Sequence, residues 1–291
     1  MSRIYEALSR TTTEPDVEVA GTPPKPDLMP TLEHYVSEGV PVLPPRIGPP
    51  AVQKREITLG HAPARPTADF DGKLVSQDGK SLPAEQYRVL AIALHEAQVD
   101  RGLQTVVVTS AVPREGKTLT TVNLGLTLSE SYARRVLLID ADLRSPSIHH
   151  AFGIAGAPGL SHAMSRPSGP LPLVQVSPLL WVLPAGRPDS NPLACLSSGR
   201  IRTLIEQCAS QFDWVLVDTP PVGVGADAQL IARHVQAVLL VIRAGAAPYS
   251  AVEKAAADLG RESIIGTVLN GVDERRFSSD LYDYYSAGYA R

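Results

Sequence analysis

A buried strand that runs straight into a lysine-bearing loop and then a helix constrains this 291-residue chain more than any other feature. Residues 104–110 (QTVVVTS) are apolar and β-branched, the pattern of a strand covered on both faces. Ala111-Val112-Pro113-Arg114-Glu115-Gly116-Lys117-Thr118 follows, and residues 119–129 resume with helical apolar spacing. Between a strand and a helix, such a loop turns several backbone N–H groups and the positive end of the helix dipole toward one point. Gly116 lets the backbone approach an anion closely. Lys117 supplies a cation for terminal phosphates, and the Thr118 hydroxyl suits a Mg²⁺ that bridges them. The stretch departs from G-x-x-x-x-G-K-[ST] in one place, with Ala111 at the first glycine. A G-K-T tripeptide is also compatible with an ordinary helix start and a solvated lysine.

Two further segments bear on that choice. Residues 135–144 (RVLLIDADLR) read as an apolar strand tipped by Asp140, Asp142 and Arg144, and residues 213–221 (DWVLVDTPP) as one tipped by Asp218. In an open parallel sheet, ligands bind beyond the carboxyl ends of the strands. The expectation is that Lys117, Asp140, Asp142 and Asp218 converge on one rim. Thr118, one or two of the carboxylates, water and phosphate oxygens then satisfy a Mg²⁺. An aspartate that ends a strand is commonly a turn former, but three beside a phosphate loop suggest a shared site.

Composition divides the chain. Nearly half of the 26 prolines fall between residues 11 and 67, so residues 11–80 are expected to be a disordered tether. Residues 1–10 contain a short amphipathic stretch, a helix that either docks on something or frays. From residue 81 to 275 the pattern alternates. Helices are expected at 85–99, 117–131, 160–164, 198–211, 226–234 and 247–259. Strands are expected at 104–110, 135–140, 179–183, 214–217, 237–243 and 264–269. This implies an α/β fold with a doubly wound, mostly parallel sheet of about six to eight strands. Residues 276–291 form a separate tail holding Tyr282, Tyr284, Tyr285 and Tyr289, in a chain only 5% aromatic. The net charge of −3 argues against nucleic acid as a partner. Cys195 and Cys208 show neither metal spacing nor a disulfide framework, which suits a reducing compartment. With no membrane-length apolar run and no signal-peptide core, a soluble cytoplasmic protein is expected.

The three motifs together resemble the deviant-Walker P-loop ATPases, the superclass of ParA and MinD. Within it, residues 80 to 291 are most similar to the bacterial tyrosine kinases (BY-kinases) of capsule and exopolysaccharide assembly. The likeness extends to Asn191-Pro192 and to residues 196–200 (LSSGR) ahead of the second acidic strand. The chain carries Val112 where ParA- and MinD-type switches place a lysine that reaches across a dimer, which favours the kinase branch.

The resemblance implies ATP and Mg²⁺ as cofactors and tyrosine autophosphorylation in trans. Arg114, Glu115, Gly116, Lys117, Thr118 and Leu119 are the expected nucleotide-binding stretch. Thr118, Asp142 and Asp218 are the expected metal residues, with Asp140 as base for the incoming phenol. The tail's Tyr282, Tyr284, Tyr285 and Tyr289 are the expected acceptors. Asn270 resembles an adenine-contacting asparagine, though a turn residue ahead of Gly271 is equally compatible. Arg144 either steadies the γ-phosphate or the acidic tail, or forms a salt bridge to Asp142. Glu85 and Arg88 match two positions of the family's Glu-x-x-Arg-x-x-Arg oligomerisation motif, while Ala91 replaces the last arginine. An i,i+3 ion pair on an exposed helix is the alternative. Implied partners are a membrane-anchored polysaccharide co-polymerase that recruits the protein to the inner face of the membrane, further copies of the chain, and a cognate tyrosine phosphatase. The competing reading is an ATPase switch of the ParA/MinD type without kinase activity.

Overall fold

The strands at residues 105–110, 136–140 and 214–218 are buried at every position, so both of their faces are covered. The computed structural model describes residues 57–61, 70, 73–75, 81–154, 158–166, 169–187, 196 and 199–272. The expected helix at 1–10, most of the expected tether and the tyrosines of the tail lie outside the described residues.

The elements in chain order are β1 (Ile57–His61), α1 (Leu82–Arg101), β2 (Thr105–Ser110), α2 (Lys117–Ser131), β3 (Val136–Asp140), α3 (Ile148–Ala151), α4 (Leu160–Ser165), β4 (Leu171–Ser177), β5 (Leu180–Leu183), α5 (Arg200–Ala209), β6 (Trp214–Asp218), α6 (Asp227–Ala232), β7 (Ala237–Arg243), α7 (Tyr249–Leu259) and β8 (Ile264–Asn270). The strands form one eight-stranded sheet in the order β1-β4-β5-β3-β6-β2-β7-β8. Six strands, from β5 across to β8, run parallel, while β4 is antiparallel to β5 and carries β1 parallel to itself.

Alternate residues of each central strand feed opposite faces, as a period of two requires. Val106, Val108, Val136, Leu138 and Leu216 pack on one side with Ala91 and Leu94 of α1 and with Leu124 and Leu128 of α2. Val107, Leu137, Ile139, Val215 and Val217 pack on the other with Ile201, Leu204 and Ile205 of α5. Gly125 lets α2 lie close to the sheet, because a Cβ there would stand 2.6 Å from Leu138 Cδ2. Ser81 caps α1, its hydroxyl accepting from Ala84 N at 3.4 Å, and Gly102 ends the helix at φ 66°. Among the described residues no helix is long and apolar enough to cross a membrane.

Two strands were not expected. β1 lies within residues 11–80, the segment read as a tether, and pairs along its whole length with β4. Residues 51–62 contain no proline, so this short stretch is free to donate to a ladder, although the proline-rich composition on either side hides it. β4 contains Pro172 and is bracketed by Pro170 and Pro178, residues that disfavour a strand. Pro172 stands opposite Thr58 of β1, and β5 pairs with β4 only from Val174 onward, so no ladder bond to β5 is required of it. The four-residue helix α3 was also missed, being too short to show a period.

Truncating Leu138, which is fully buried between α2 and the sheet, to alanine is expected to lower the stability of the chain by about 2–5 kcal/mol. Chemical denaturation with an unchanged slope and a lowered midpoint checks this; an unaltered midpoint contradicts the packing described.

Candidate functional site

Parallel strands deliver their carboxyl ends to one rim, and here β2, β3, β6, β7 and β8 deliver Ser110, Asp140, Asp218, Arg243 and Asn270. The loop from Ala111 to Gly116 crosses this rim and is held from inside by Glu115. That carboxylate is fully buried and accepts from Val112 N at 2.9 Å and from Arg243 N at 3.0 Å. It thereby closes the loop on itself and ties it to the end of β7. From the end of β8, the Asn270 amide donates to the Glu115 carbonyl at 2.9 Å, while its Oδ1 accepts from Gly271 N at 2.8 Å. Gly116 sits at φ 94°, and a Cβ there would lie 2.0 Å from Asn270 Nδ2. Arg114 is exposed and adopts φ 66°, a left-handed conformation that a non-glycine residue takes only under local constraint.

The helix that starts at Lys117 points its unpaired N–H groups into the space this loop encloses. Lys117 Nζ pairs with Asp142 Oδ2 at 3.1 Å, with both side chains largely buried. Thr118 Oγ1 donates to Asp218 Oδ2 at 2.6 Å and accepts from Ser147 Oγ at 3.0 Å. Leu119 packs its side chain against the core and has only its backbone to offer a ligand. Asp140, opposite Asp218 in the β3–β6 register, accepts from Ser147 N and Ile148 N at 3.0 Å each and from Asp142 N at 3.3 Å. It therefore shapes the turn after β3 and the start of α3. Asp142 in turn accepts from Ser145 N at 2.9 Å.

Electrostatics bind these groups together. Burial and the neighbouring Asp218 push the Asp140 carboxyl well above the usual carboxylate range. Burial does the same to Asp218, with Lys117 and the Thr118 hydrogen bond working in the opposite direction. Burial disfavours the Lys117 ammonium, but Asp218, Asp142 and Asp140 outweigh it and hold its pKa above the ordinary lysine value. Three buried carboxylates facing one ammonium leave an excess of negative charge when all are ionised. Asp218 Oδ1 is also buried and lacks any hydrogen-bond partner. Beside the Thr118 hydroxyl, that oxygen has the hard-donor chemistry that suits Mg²⁺. No group of three or more His, Cys, Asp or Glu among the described residues makes a metal cluster by itself. A cation here would be shared with phosphate oxygens and water rather than caged by protein.

Lys117, Thr118, Asp140, Asp142 and Asp218 thus come together as expected. Glu115 and Asn270 are drawn into holding the loop. Arg144 does not pair with Asp142: its Nε donates to Asp227 Oδ2 at 2.7 Å. Glu85 and Arg88 form an i,i+3 ion pair on α1, and Ala91 is fully buried against the core, where an arginine has no room. Ser147, Asp227 and Arg243 were not singled out from the sequence. A lone serine or a strand-terminal arginine carries no signal, and Asp227 reads as an ordinary helix-start acid.

Residues 106–288 match the family model described as the CobQ/CobB/MinD/ParA nucleotide binding domain. The chain is 36% identical over 210 residues to the tyrosine-protein kinase YwqD of Bacillus subtilis, covering 71% of this chain and 87% of that one. It is 30% identical over 212 residues to the tyrosine-protein kinase wzc of Salmonella typhimurium, covering 72% of this chain but only 29% of that relative. Among solved structures, the kinase domain of the Escherichia coli tyrosine kinase ETK superposes with a TM-score of 0.64 at 28% identity, over 75% of this chain and 92% of that one.

Replacing Gly116 with alanine forces a Cβ onto Asn270 and a left-handed backbone on an L-residue. Affinity for Mg-ADP, measured by calorimetry, is expected to fall at least about tenfold, the scale of that backbone cost alone. Undiminished binding would show that the loop closes without the Asn270 contact.

Proposed function

The chain belongs to the CobQ/CobB/MinD/ParA nucleotide-binding family, in its branch of bacterial tyrosine-protein kinases, and on that footing we propose that it transfers the γ-phosphoryl group of ATP to tyrosines of its own C-terminal segment in trans. The observation that carries this reading is the convergence of Lys117, Thr118, Asp140, Asp142 and Asp218 at the N-terminus of α2. Phosphoryl transfer asks a protein chiefly for positioning and for charge neutralisation.

The loop amides from Arg114 to Thr118 and the Lys117 ammonium would hold the β- and γ-phosphates. Lys117 is already oriented by Asp142, so little ordering remains when nucleotide arrives. Thr118, Asp218 and Asp142 would hold Mg²⁺, directly or through water, and the ion would neutralise charge that develops on the phosphates. A phenol of pKa about 10 arrives protonated and profits from a carboxylate that takes its proton. Asp140 is assigned that role, with Oδ1, which carries only the 3.3 Å bond from Asp142 N, as the accepting atom. Its raised pKa brings it closer to the range in which a base works at neutral pH. Asn270 would act on nucleotide mainly by locking Glu115 and Gly116, and secondarily as a contact for adenine. Tyr282, Tyr284, Tyr285 and Tyr289 are the proposed acceptors.

The biological setting follows from the same resemblance: control of capsule or exopolysaccharide synthesis, a membrane-anchored co-polymerase that recruits the chain, and a phosphatase that resets it. Glu85 and Arg88 would contribute to contacts between copies. The burial of Ala91 leaves this chain without the last arginine of that motif.

Incubation with γ-labelled ATP and Mg²⁺ is expected to label the wild-type chain. Lys117→Met should reduce labelling on the order of 10²–10³-fold, and replacing the four tail tyrosines by phenylalanine should remove the label from the tail. Release of free phosphate with no labelled tyrosine would instead support an ATPase switch. Each added phosphate brings a charge of about −1.5 to −2, so the phosphorylated form is expected to elute as a smaller species than the unmodified one in size-exclusion chromatography. Identical elution would remove phosphorylation as the control of assembly.

A further inference from the structure

Arg144 is a cation at this rim to which the reading above gives no role, and its surroundings are built rather than incidental. Its Nε is held at 2.7 Å by Asp227, a carboxylate only 1% exposed, while the arginine side chain itself is 40% exposed. Among the described residues its two terminal nitrogens have no other acceptor. Asp227 Oδ1 is buried without a partner, so the carboxylate is committed to this single contact. The guanidinium is thus fixed at one edge and open at the other, the arrangement that presents paired N–H donors to an incoming oxyanion.

Its position is also set. Arg144 lies inside the turn closed by Asp142 Oδ1 on Ser145 N, and the other oxygen of that carboxylate holds Lys117. Opposite, Gly223 N donates to Ala111 O at 3.2 Å, and a Cβ on Gly223 would stand 2.8 Å from that carbonyl. This seats the segment leading to Asp227 against the first residue of the phosphate loop. A Cβ on Gly225 would come within 3.2 Å of Asp227 Oδ2 and 3.5 Å of Arg144 Nη2, so glycine keeps the pair uncrowded. Arg144 therefore borders the mouth of the site, joined to Lys117 through one residue and to the loop through the other.

The phosphates already have Lys117, the loop amides and the helix N-terminus. The acceptor segment needs a recognition element, and it is acidic: between residues 277 and 291 Asp280 and Asp283 flank Tyr282, and Arg291 is the only base. We propose that Arg144, held rigid by Asp227, is a binding site for a carboxylate of the acceptor segment and positions the neighbouring tyrosine for transfer. This rests on the tail being the substrate.

The test uses the full chain with Mg-ADP and a fluorescent peptide of residues 277–291, with binding read by anisotropy. Arg144→Gln is expected to weaken peptide binding about tenfold, the scale of one charge-assisted hydrogen bond, and to leave Mg-ADP affinity within about twofold. A peptide carrying Asp280→Asn and Asp283→Asn should bind the unmodified chain equally weakly and lose nothing further on Arg144→Gln. Asp227→Asn, which frees the guanidinium without removing it, should give an intermediate loss. The proposal falls if the Asn peptide binds the unmodified chain as tightly as the parent, a comparison that needs no altered protein. It falls equally if Arg144→Gln weakens Mg-ADP and spares the peptide, which would make the ligand a nucleotide phosphate. Labelled tails in the kinase assay with peptide binding indifferent to Arg144 would remove this inference alone; Arg144-dependent binding with no label anywhere would instead remove the kinase reading.

Discussion

The pairing of β3 with β6 in a register that sets Asp140 opposite Asp218 is the constraint around which the rest of the molecule is arranged. Two carboxylates at the tips of adjacent buried strands repel each other and are costly to desolvate. The surrounding groups answer that cost: backbone N–H groups of Ser147 and Ile148 on Asp140, the Thr118 hydroxyl on Asp218, and the Lys117 ammonium among all three acids. Each of those groups comes from the start of α2 or from the turn after β3 that opens α3, so compensating the charge and assembling the site are the same event. The negative charge left when all three acids are ionised is what a Mg²⁺ held here would offset.

A second level of order keeps the phosphate loop in shape without a phosphate. Glu115 substitutes a buried side-chain carboxylate for the anion that loop amides otherwise seek, but on the inner side, leaving the outer side free. Because one of its partners is Arg243 N and its own carbonyl is held by Asn270, the strands β7 and β8 are functional parts of the loop. Preorganised donors cost nothing to orient at the moment of reaction, the basis on which a kinase of this type stabilises transferring charge.

Much of this was legible beforehand for a physical reason. A strand buried on both faces must be apolar throughout, so β2, β3, β6 and β7 announce themselves, and the bounds of α2 follow from the glycine and lysine that open it. β1 and β4 did not, because a five-residue strand beside a proline-rich stretch and a strand with an internal proline depend on partners distant in sequence. For Arg144 the sequence left a salt bridge to the nearby Asp142 open beside a contact with the γ-phosphate or the acidic tail. The structure pairs it with Asp227, 83 residues away, across the rim.

What the amino-acid sequence determined alone is the chemistry available: a lysine and a threonine at a helix start, acids at two strand tips, and the periodicities that make a doubly wound sheet, since these depend only on local order and residue type. Tertiary structure decided which donor meets which acceptor. Glu115 turned inward to become a staple, Asn270 closed on Gly116, Ala91 went into the core, and Asp227 came to hold Arg144, because hydrogen-bond partners across a sheet rim are set by strand order and crossover, which spacing along the chain does not encode.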